Sequence, residues 1–378
     1  MGGIRMNHLY HCYASAAFGM EGLVSKELKS IGLHDVEAGN GFVLFSATGK
    51  ELFLANMELH FSDRLYIILA SGECKSFEDL FQLVSSVRWA DYFSRDDFID
   101  ISCKCTRSQL MSQRDCQSIT KKAIIENVKK ETGQSTFPES GSALSVHVSV
   151  RNDLVRILLN TSGEALSRRG YRTWNGEAPL RETLAAALVE LSGWKPGQPL
   201  HDPCCGTGTI LIESALKSGR IAPGINRQFA MEKYKCFQGL GFASLRASLK
   251  AMESRECISG ISGSDLDPEA LELAKRHIAQ AGLDSNTIHL EHLPLQELNL
   301  DAENGVFICN PPYGERLSDQ AGCRKLYHDL FLLKKRHPSW KLCAISSDPA
   351  FERSFGKKAD RKRRLYNGRL ECVYYVYN

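Results

Sequence analysis

No apolar run in this sequence approaches the roughly 20 residues that a membrane-spanning helix needs, and the amino terminus lacks a basic patch followed by an apolar core. A cytoplasmic protein with no membrane partner is therefore expected. Cysteine is plentiful at 13, but the number is odd and no secretory signal implies an oxidising compartment, so reduced thiols are expected. Cys103 and Cys105 alternate on a strand-like segment, and Cys204 and Cys205 are adjacent. Neither pair has the two-residue gap that suits a tetrahedral site, so no metal is expected. Charge of one sign is also scarce, 47 Lys and Arg against 44 Asp and Glu leaving a formal net of +3. Neither internal repeats nor low-complexity tracts are present. With 378 residues, 43% of them hydrophobic, the chain is long enough for two or three globular domains. Nothing in it fixes an oligomeric state.

The distribution of charge says more than its sum. Basic residues cluster at Lys121-Lys122, at Lys129-Lys130, at Arg168-Arg169 with Arg172, at Lys334 to Arg336 and from Lys357 to Arg364. Such clusters can form a phosphate-binding surface, although any one of them alone also suits a solvated helix or loop face. Short strand and helix patterns alternate through the first part. Strands are expected at 8–14, 42–47, 65–70, 99–105, 144–150 and 154–159, and helices at 21–31, 77–87 and 115–130. This predicts a small α+β sandwich followed by a second α+β module whose last two strands form a hairpin at Asn152-Asp153. Gly163, Gly170, Gly176 and Pro179 then break the pattern and mark a domain boundary. Beyond it, strands and helices alternate in the manner of a doubly wound parallel sheet, which binds ligands at the carboxyl ends of its strands.

Two loops of that second half carry the first ligand signals. A short strand ends at Asp202 and continues as Pro203-Cys204-Cys205-Gly206-Thr207-Gly208-Thr209 into a helix. The glycines let the backbone turn sharply against a ligand, and the N–H groups opening the helix would face a carboxylate. A dinucleotide fingerprint would want a third glycine where Leu211 stands, and a P-loop would want Lys-Ser/Thr after the glycines, so both readings lose ground. Further on, a strand ends in Asp265-Leu266-Asp267-Pro268, where Asp267 and Pro268 suit a helix start. One aspartate is then spare to accept ribose hydroxyls.

The third signal is Asn310-Pro311-Pro312-Tyr313, directly after the apolar strand 306–309. Successive prolines fix the loop and aim its carbonyls. An aromatic amino group is a poor nucleophile, because its lone pair is delocalised into the ring. Acceptors on both of its hydrogens, the Asn310 side-chain oxygen and the Pro311 carbonyl, would favour a pyramidal nitrogen, with Tyr313 stacked on the base and Gly314 giving it room. Taken alone, the tetrapeptide is equally compatible with an ordinary rigid turn.

The three loops in this order resemble the class I S-adenosylmethionine methyltransferases that act on amino nitrogens. The likeness extends to 166–172, to Ala178 through Glu182, to 221–224 and to 310–317, which together resemble the THUMP-domain methyltransferases related to the bacterial large-subunit ribosomal RNA guanine-N2 enzymes. The resemblance spans nearly the whole chain. It implies an α/β, Rossmann-like methyltransferase domain at 163–378, preceded by α+β ferredoxin-like (8–65) and THUMP (66–162) domains. It implies S-adenosylmethionine as cofactor, bound by 202–209, Asp265, Asp267 and Asn310, and catalysis by 310–313. It also implies RNA, most of all ribosomal RNA, as partner, with Lys121, Lys122, Arg168, Arg169 and Arg172 as binding residues, and an unpaired or flipped-out guanosine as target. One departure stands out, since the acidic residue that contacts adenine in relatives falls at Pro294 here, leaving main-chain groups, Gln296 or Glu297 for that task. Tyr234 and Phe242 replace tryptophans usual in relatives. Competing readings are a transfer-RNA guanine-N2 enzyme, a DNA adenine-N6 methyltransferase, which uses the same tetrapeptide, and a non-catalytic RNA-binding assembly factor.

Overall fold

The computed structural model of the chain describes residues 8–92, 94, 96–133, 136–172, 180–313 and 320–378. Gly176, Ala178, Pro179 and residues 314–317 lie outside these. The chain divides into two compact units. Unit 1 contains residues 8–16, 24–166 and 227–247, and unit 2 contains 17–23, 167–226 and 248–378.

Unit 1 is built on β1 (Tyr10–Ala16), most of α1 (Glu21–Ser30, its first three residues falling in unit 2), β2 (His34–Ala38), β3 (Phe42–Ala47), α2 (Gly49–Glu58), β4 (Ser62–Glu73), α3 (Phe77–Ser85), β5 (Phe98–Thr106), α4 (Gln113–Thr132), β6 (Ala143–Arg151) and β7 (Leu154–Asn160). Its seven strands form one sheet in the order β2-β3-β1-β4-β7-β6-β5. Local chemistry explains the boundaries. Thr48 and Glu51 form a capping box at the start of α2, and Ser76 and Asp79 do the same for α3. The β6–β7 hairpin turns through Asn152 and Asp153 with φ of 50° and 61°, left-handed values that these side chains tolerate. Along β6, Leu144, Val146, Val148 and Val150 are buried in alternation with more exposed residues, so one sheet face makes the core.

Unit 2 contains α5 (Glu182–Ser192), β8 (Leu200–Asp202), α6 (Thr209–Ser218), β9 (Ile261–Asp265), α8 (Pro268–Gln280), β10 (His289–His292), β11 (Val306–Cys309), α9 (Gln320–Arg336), β12 (Lys341–Ser346), α10 (Phe351–Phe355), β13 (Arg361–Asn367) and β14 (Leu370–Tyr377). The remaining helix, α7 (Phe242–Lys250), mostly falls in the 227–247 segment of unit 1. The strand order is β10-β9-β8-β11-β12-β14-β13, parallel from β10 to β12, with β14 antiparallel to both of its neighbours. Every residue of β8 and of β11 is buried, as expected for central strands covered on both faces. An aromatic cluster packs the far side of the sheet, with Phe307 stacked on Trp340 (4.6 Å between ring centres), Phe351 on Tyr375 (4.6 Å) and Phe355 on Tyr377 (4.1 Å). The order of connection reverses between β8 and β11, and a doubly wound sheet opens its ligand crevice at such a switch point.

Within unit 1 the 227–247 segment is held by specific contacts. The Met231 N–H donates to the Thr161 carbonyl (3.0 Å), and the Tyr234 hydroxyl donates to the Asn160 carbonyl (2.7 Å). Arg246 pairs with Glu232 (3.1 Å) and lies over the rings of Phe53 and Phe229. Phe242 contacts Phe53 at 4.6 Å. Tyr234 and Phe242 are thus packing residues.

Candidate active site

The glycine loop is shaped by its own backbone and by β9. Gly206 and Gly208 adopt φ of +50° and +79°, conformations that side chains resist. The Gly208 N–H donates to the Cys205 carbonyl (2.8 Å), closing a turn, and the Cys205 N–H donates to the Ser264 carbonyl (3.0 Å), docking the loop on β9. That docking requires Gly263, a residue the sequence reading passed over. A Cβ there would come within 2.5 Å of Leu211 Cδ1, 3.0 Å of Cys205 Cβ and 3.2 Å of the Asp202 carbonyl oxygen. Asp202 is buried and accepts the Cys204 N–H (3.1 Å); burial pushes its carboxyl well above the usual range, against the pull of that hydrogen bond. Asp202 therefore shapes the loop from beneath. Thr209 is buried as well, its hydroxyl accepting from Arg172 at 2.5 Å. Gly208 caps α6 without offering a side-chain acceptor, so the helix opens with no side-chain cap of its own.

Asp265 and Asp267 divide their work. Asp267 caps α8 by accepting the Glu269 N–H at 2.9 Å. Asp265, at the end of β9, accepts the Gly206 N–H on one oxygen (2.7 Å) and the Asp267 N–H on the other (3.0 Å). It is half-buried, and each of its oxygens keeps a lone pair for a further donor. Beside it, Leu266 is 63% exposed, an apolar face at the rim of the loop that sequence reasoning did not single out. Across from it, the Leu293 N–H donates to the Asp265 carbonyl (3.3 Å). The Gln296 amide is taken by Asp329 of α9 (2.7 Å), and Glu297 is exposed.

Asn310 follows β11, which pairs with β8 in parallel through Val306 opposite Leu200 and Phe307 opposite His201. The register sends the Asn310 loop and the glycine loop out of adjacent strand ends. Tyr327 of α9, fully buried, donates its hydroxyl to the Pro312 carbonyl at 2.9 Å and so anchors the proline turn, a support invisible in the local sequence. The Tyr313 hydroxyl donates to Asn310 Oδ1. Burial raises the Tyr313 pKa, with Cys372 adding to the effect, so this hydroxyl keeps its proton and remains a donor. Pro311 is buried, and Asn310 is half-buried.

The basic residues separate into two kinds, which corrects part of the sequence expectation. Arg169 is buried in an ion pair with Glu213 (3.4 Å), which also accepts from the Tyr171 hydroxyl (2.9 Å). Arg172 pairs with Glu182 at 3.5 Å, each side chain 9% exposed. Neither is displayed to a partner, because an arginine drawn into the core satisfies a buried carboxylate instead. Arg168 is exposed, and Lys121 and Lys122 of α4 reach solvent beside Glu139 and Glu126. Unit 1 also has a cleft of about 720 Å³ lined by Arg64, Tyr66, His147, Asn160, Phe229 and Lys233.

The parallel order of unit 2, the glycine loop over β8 and the acidic residue ending β9 define a Rossmann-like class I, S-adenosylmethionine-dependent methyltransferase. The chain belongs to the RMKL-like methyltransferase family: that family's domain matches residues 169–376, after matches to the RlmL ferredoxin-like domain at 11–66 and to the THUMP domain at 74–160. It is similar to the candidate RNA methyltransferase YpsC of Bacillus subtilis (strain 168), 34% identical over 97% of this chain and 96% of that protein. It is also similar to the ribosomal RNA large subunit methyltransferase K/L of Shewanella baltica (strain OS185), 31% identical over 97% of this chain. The chain spans 52% of the length of that K/L protein. Among solved structures, a candidate N6-adenine-specific DNA methylase from Listeria monocytogenes str. 4b F2365 superposes with a TM-score of 0.93 at 36% identity, covering 98% of this chain and 96% of that one. A candidate methyltransferase complexed with SAH superposes with a TM-score of 0.92 at 34% identity, covering 98% of both. Among the described residues, no helix is long and apolar enough to cross a membrane.

Proposed function

We propose that the chain methylates RNA, placing the methyl group on the exocyclic N2 amine of a guanosine in large-subunit ribosomal RNA. One observation carries this reading: the register of β8 and β11 sets a proline-stiffened loop with two carbonyl-type acceptors beside the glycine loop. The THUMP match and the names borne by the YpsC and K/L relatives support RNA as substrate.

The cofactor supplies an electrophilic methyl on a sulfonium centre, and the residues present suit it. Asp265 would hold the ribose hydroxyls, the uncapped start of α6 would meet the carboxylate end, and Leu266 would offer an apolar face to the adenine. With Pro294 at the usual acidic position, Gln296 committed to Asp329 and the Leu293 N–H to the Asp265 carbonyl, the adenine edge is left to other main-chain groups of this turn or to the exposed Glu297. Asn310 Oδ1 and the Pro311 carbonyl accept the two amine hydrogens and turn the nitrogen lone pair toward the methyl group. In this structure Tyr313 occupies one lone pair of Asn310 Oδ1, which holds the amide in position before a base arrives. An aromatic amine that has just gained a methyl group is strongly acidic, so its extra proton leaves to water without a side-chain base.

The test uses labelled S-adenosylmethionine with large-subunit ribosomal RNA from a strain lacking the gene and, separately, with unmethylated DNA. Label appearing as N2-methylguanosine is expected. Counts only in DNA adenine, the activity named for the Listeria relative, would overturn the proposal. Asn310→Ala should lower turnover about 100-fold or more, in line with the loss of an oriented transition-state acceptor, while RNA affinity stays within about twofold (about 0.4 kcal/mol).

A further inference from the structure

Three thiols distant in sequence from the methyl-transfer loops converge in unit 1. Cys103 and Cys105 are two residues apart on β5, so both leave the same face of the strand, and their sulfur atoms are 3.6 Å apart. Cys116 comes from the first turn of α4, and all three sulfur atoms lie within 4.8 Å of one another. Thiolates sharing one ion at bond lengths of about 2.3 Å stand roughly 3.7–4.0 Å apart, so modest side-chain adjustment converts the observed triangle into a ligand set. Cys103 and Cys116 are buried, while Cys105 is partly exposed and gives an ion a way in. One turn beyond Cys116, on the same face of α4, Thr120 is fully buried and its hydroxyl has no hydrogen-bond partner. Packing as small hydrophobes does not by itself ask three sulfurs to converge within 4.8 Å.

We propose that Cys103, Cys105 and Cys116 form a binding site for a thiophilic d10 cation, Zn2+ or Cu+. Binding forms three metal–sulfur bonds and releases the three thiol protons to solvent. Three thiolates complete the shell of Cu+, whereas Zn2+ takes a fourth donor, the Thr120 hydroxyl or a water entering beside Cys105. The ion would clamp α4 onto β5. Sequence spacing concealed the site because its third ligand lies eleven residues past Cys105, across the loop that starts the helix.

Titration of the reduced full-length chain with Co2+, followed by displacement with Zn2+, and in parallel with Cu+ against a competing chelator, tests the assignment. A thiolate-to-cobalt charge-transfer band saturating at one ion per chain and quenched by Zn2+ supports the zinc form; uptake of Cu+ alone supports the copper form. Mapping of alkylated cysteines should show metal-dependent protection of these three positions, a readout on the unaltered protein that needs no variant. Cys105→Ser, the substitution least disturbing to the core, should abolish the band, and the exposed Cys257→Ser should not. No uptake of either metal, protection confined to other cysteines, or a band that survives Cys105→Ser would overturn the proposal.

Discussion

At the scale of single residues, the site depends on which of several similar side chains is free to act. Asp265 and Asp267 sit two positions apart, yet one is spent on a helix cap and the other faces the glycine loop. Asp265→Asn is therefore expected to raise the dissociation constant for S-adenosylmethionine about 10- to 100-fold, corresponding to about 1.5–3 kcal/mol for hydrogen bonds to a charged group. Asp267→Asn, which remains a good cap, should leave it almost unchanged; calorimetry with both variants distinguishes them, and the reverse ranking would reassign the ribose contact. The same discrimination applies to the arginines. Arg169→Ala strands Glu213 in the core and should cost about 3–5 kcal/mol, against less than about 0.5 kcal/mol for the exposed Arg168→Ala, as read from urea denaturation. Sequence alone made these neighbours look alike. Charge clustering is visible in a string of letters, but the carboxylate that draws one member of the cluster inward lies 44 residues away.

At the scale of elements, most of the architecture was legible. Expected and observed bounds agree closely for β3, β6 and β7, because strands with one buried face declare themselves by alternation. The hairpin at Asn152-Asp153 was announced by its turn residues. In the first half two elements escaped notice, β2 and α2, and in the second half α7, β12, α10 and β13 were not singled out. β2 is a short, mostly exposed edge strand without an apolar face. α2 is buried on several sides and has little amphipathic pattern, although its Thr48/Glu51 capping box was there to be read. Of the site itself, the three loops were legible, and their supports were not. Tyr327 reaches the proline turn from another helix, and Gly263 matters because of what packs over it. Gly263→Ala forces a methyl group into Leu211 and Cys205, with an expected cost of about 1–3 kcal/mol and weaker cofactor binding, measured by thermal unfolding with and without S-adenosylmethionine. A fully stable variant would mean that the loop has slack that its packing does not suggest.

At the scale of the whole molecule, acid sensitivity follows from two imidazoles withdrawn from water, His201 fully and His147 in part. His201 lies between the hydroxyls of Ser262 (2.8 Å) and Ser264 (3.1 Å), and burial lowers its pKa from 6.5 to about 3; His147 is lowered to about 4, chiefly by burial. Above pH 6.5 neither the folded nor the unfolded chain protonates these groups, and stability is undiminished. As pH falls toward 3, the unfolded chain binds protons that the native fold refuses, so stability drops, by on the order of 4–5 kcal/mol through His201. His201→Gln should flatten the dependence of the melting midpoint on pH across this window; an unchanged slope would place the acid sensitivity elsewhere.

The strand β4 has a consequence of its own. Its first half pairs with β1 and its second half with β7; the first amino-terminal family match ends inside it, at residue 66, and the second begins directly after it, at 74. There is thus no seam at which these two modules could be parted. A fragment beginning at residue 74, where the second match starts, would lose β4 altogether and carry the uncovered edge of β7 as a torn ribbon of unpaired amides, ready to adhere to any other chain, and the pair should melt, refold and resist proteases as one body.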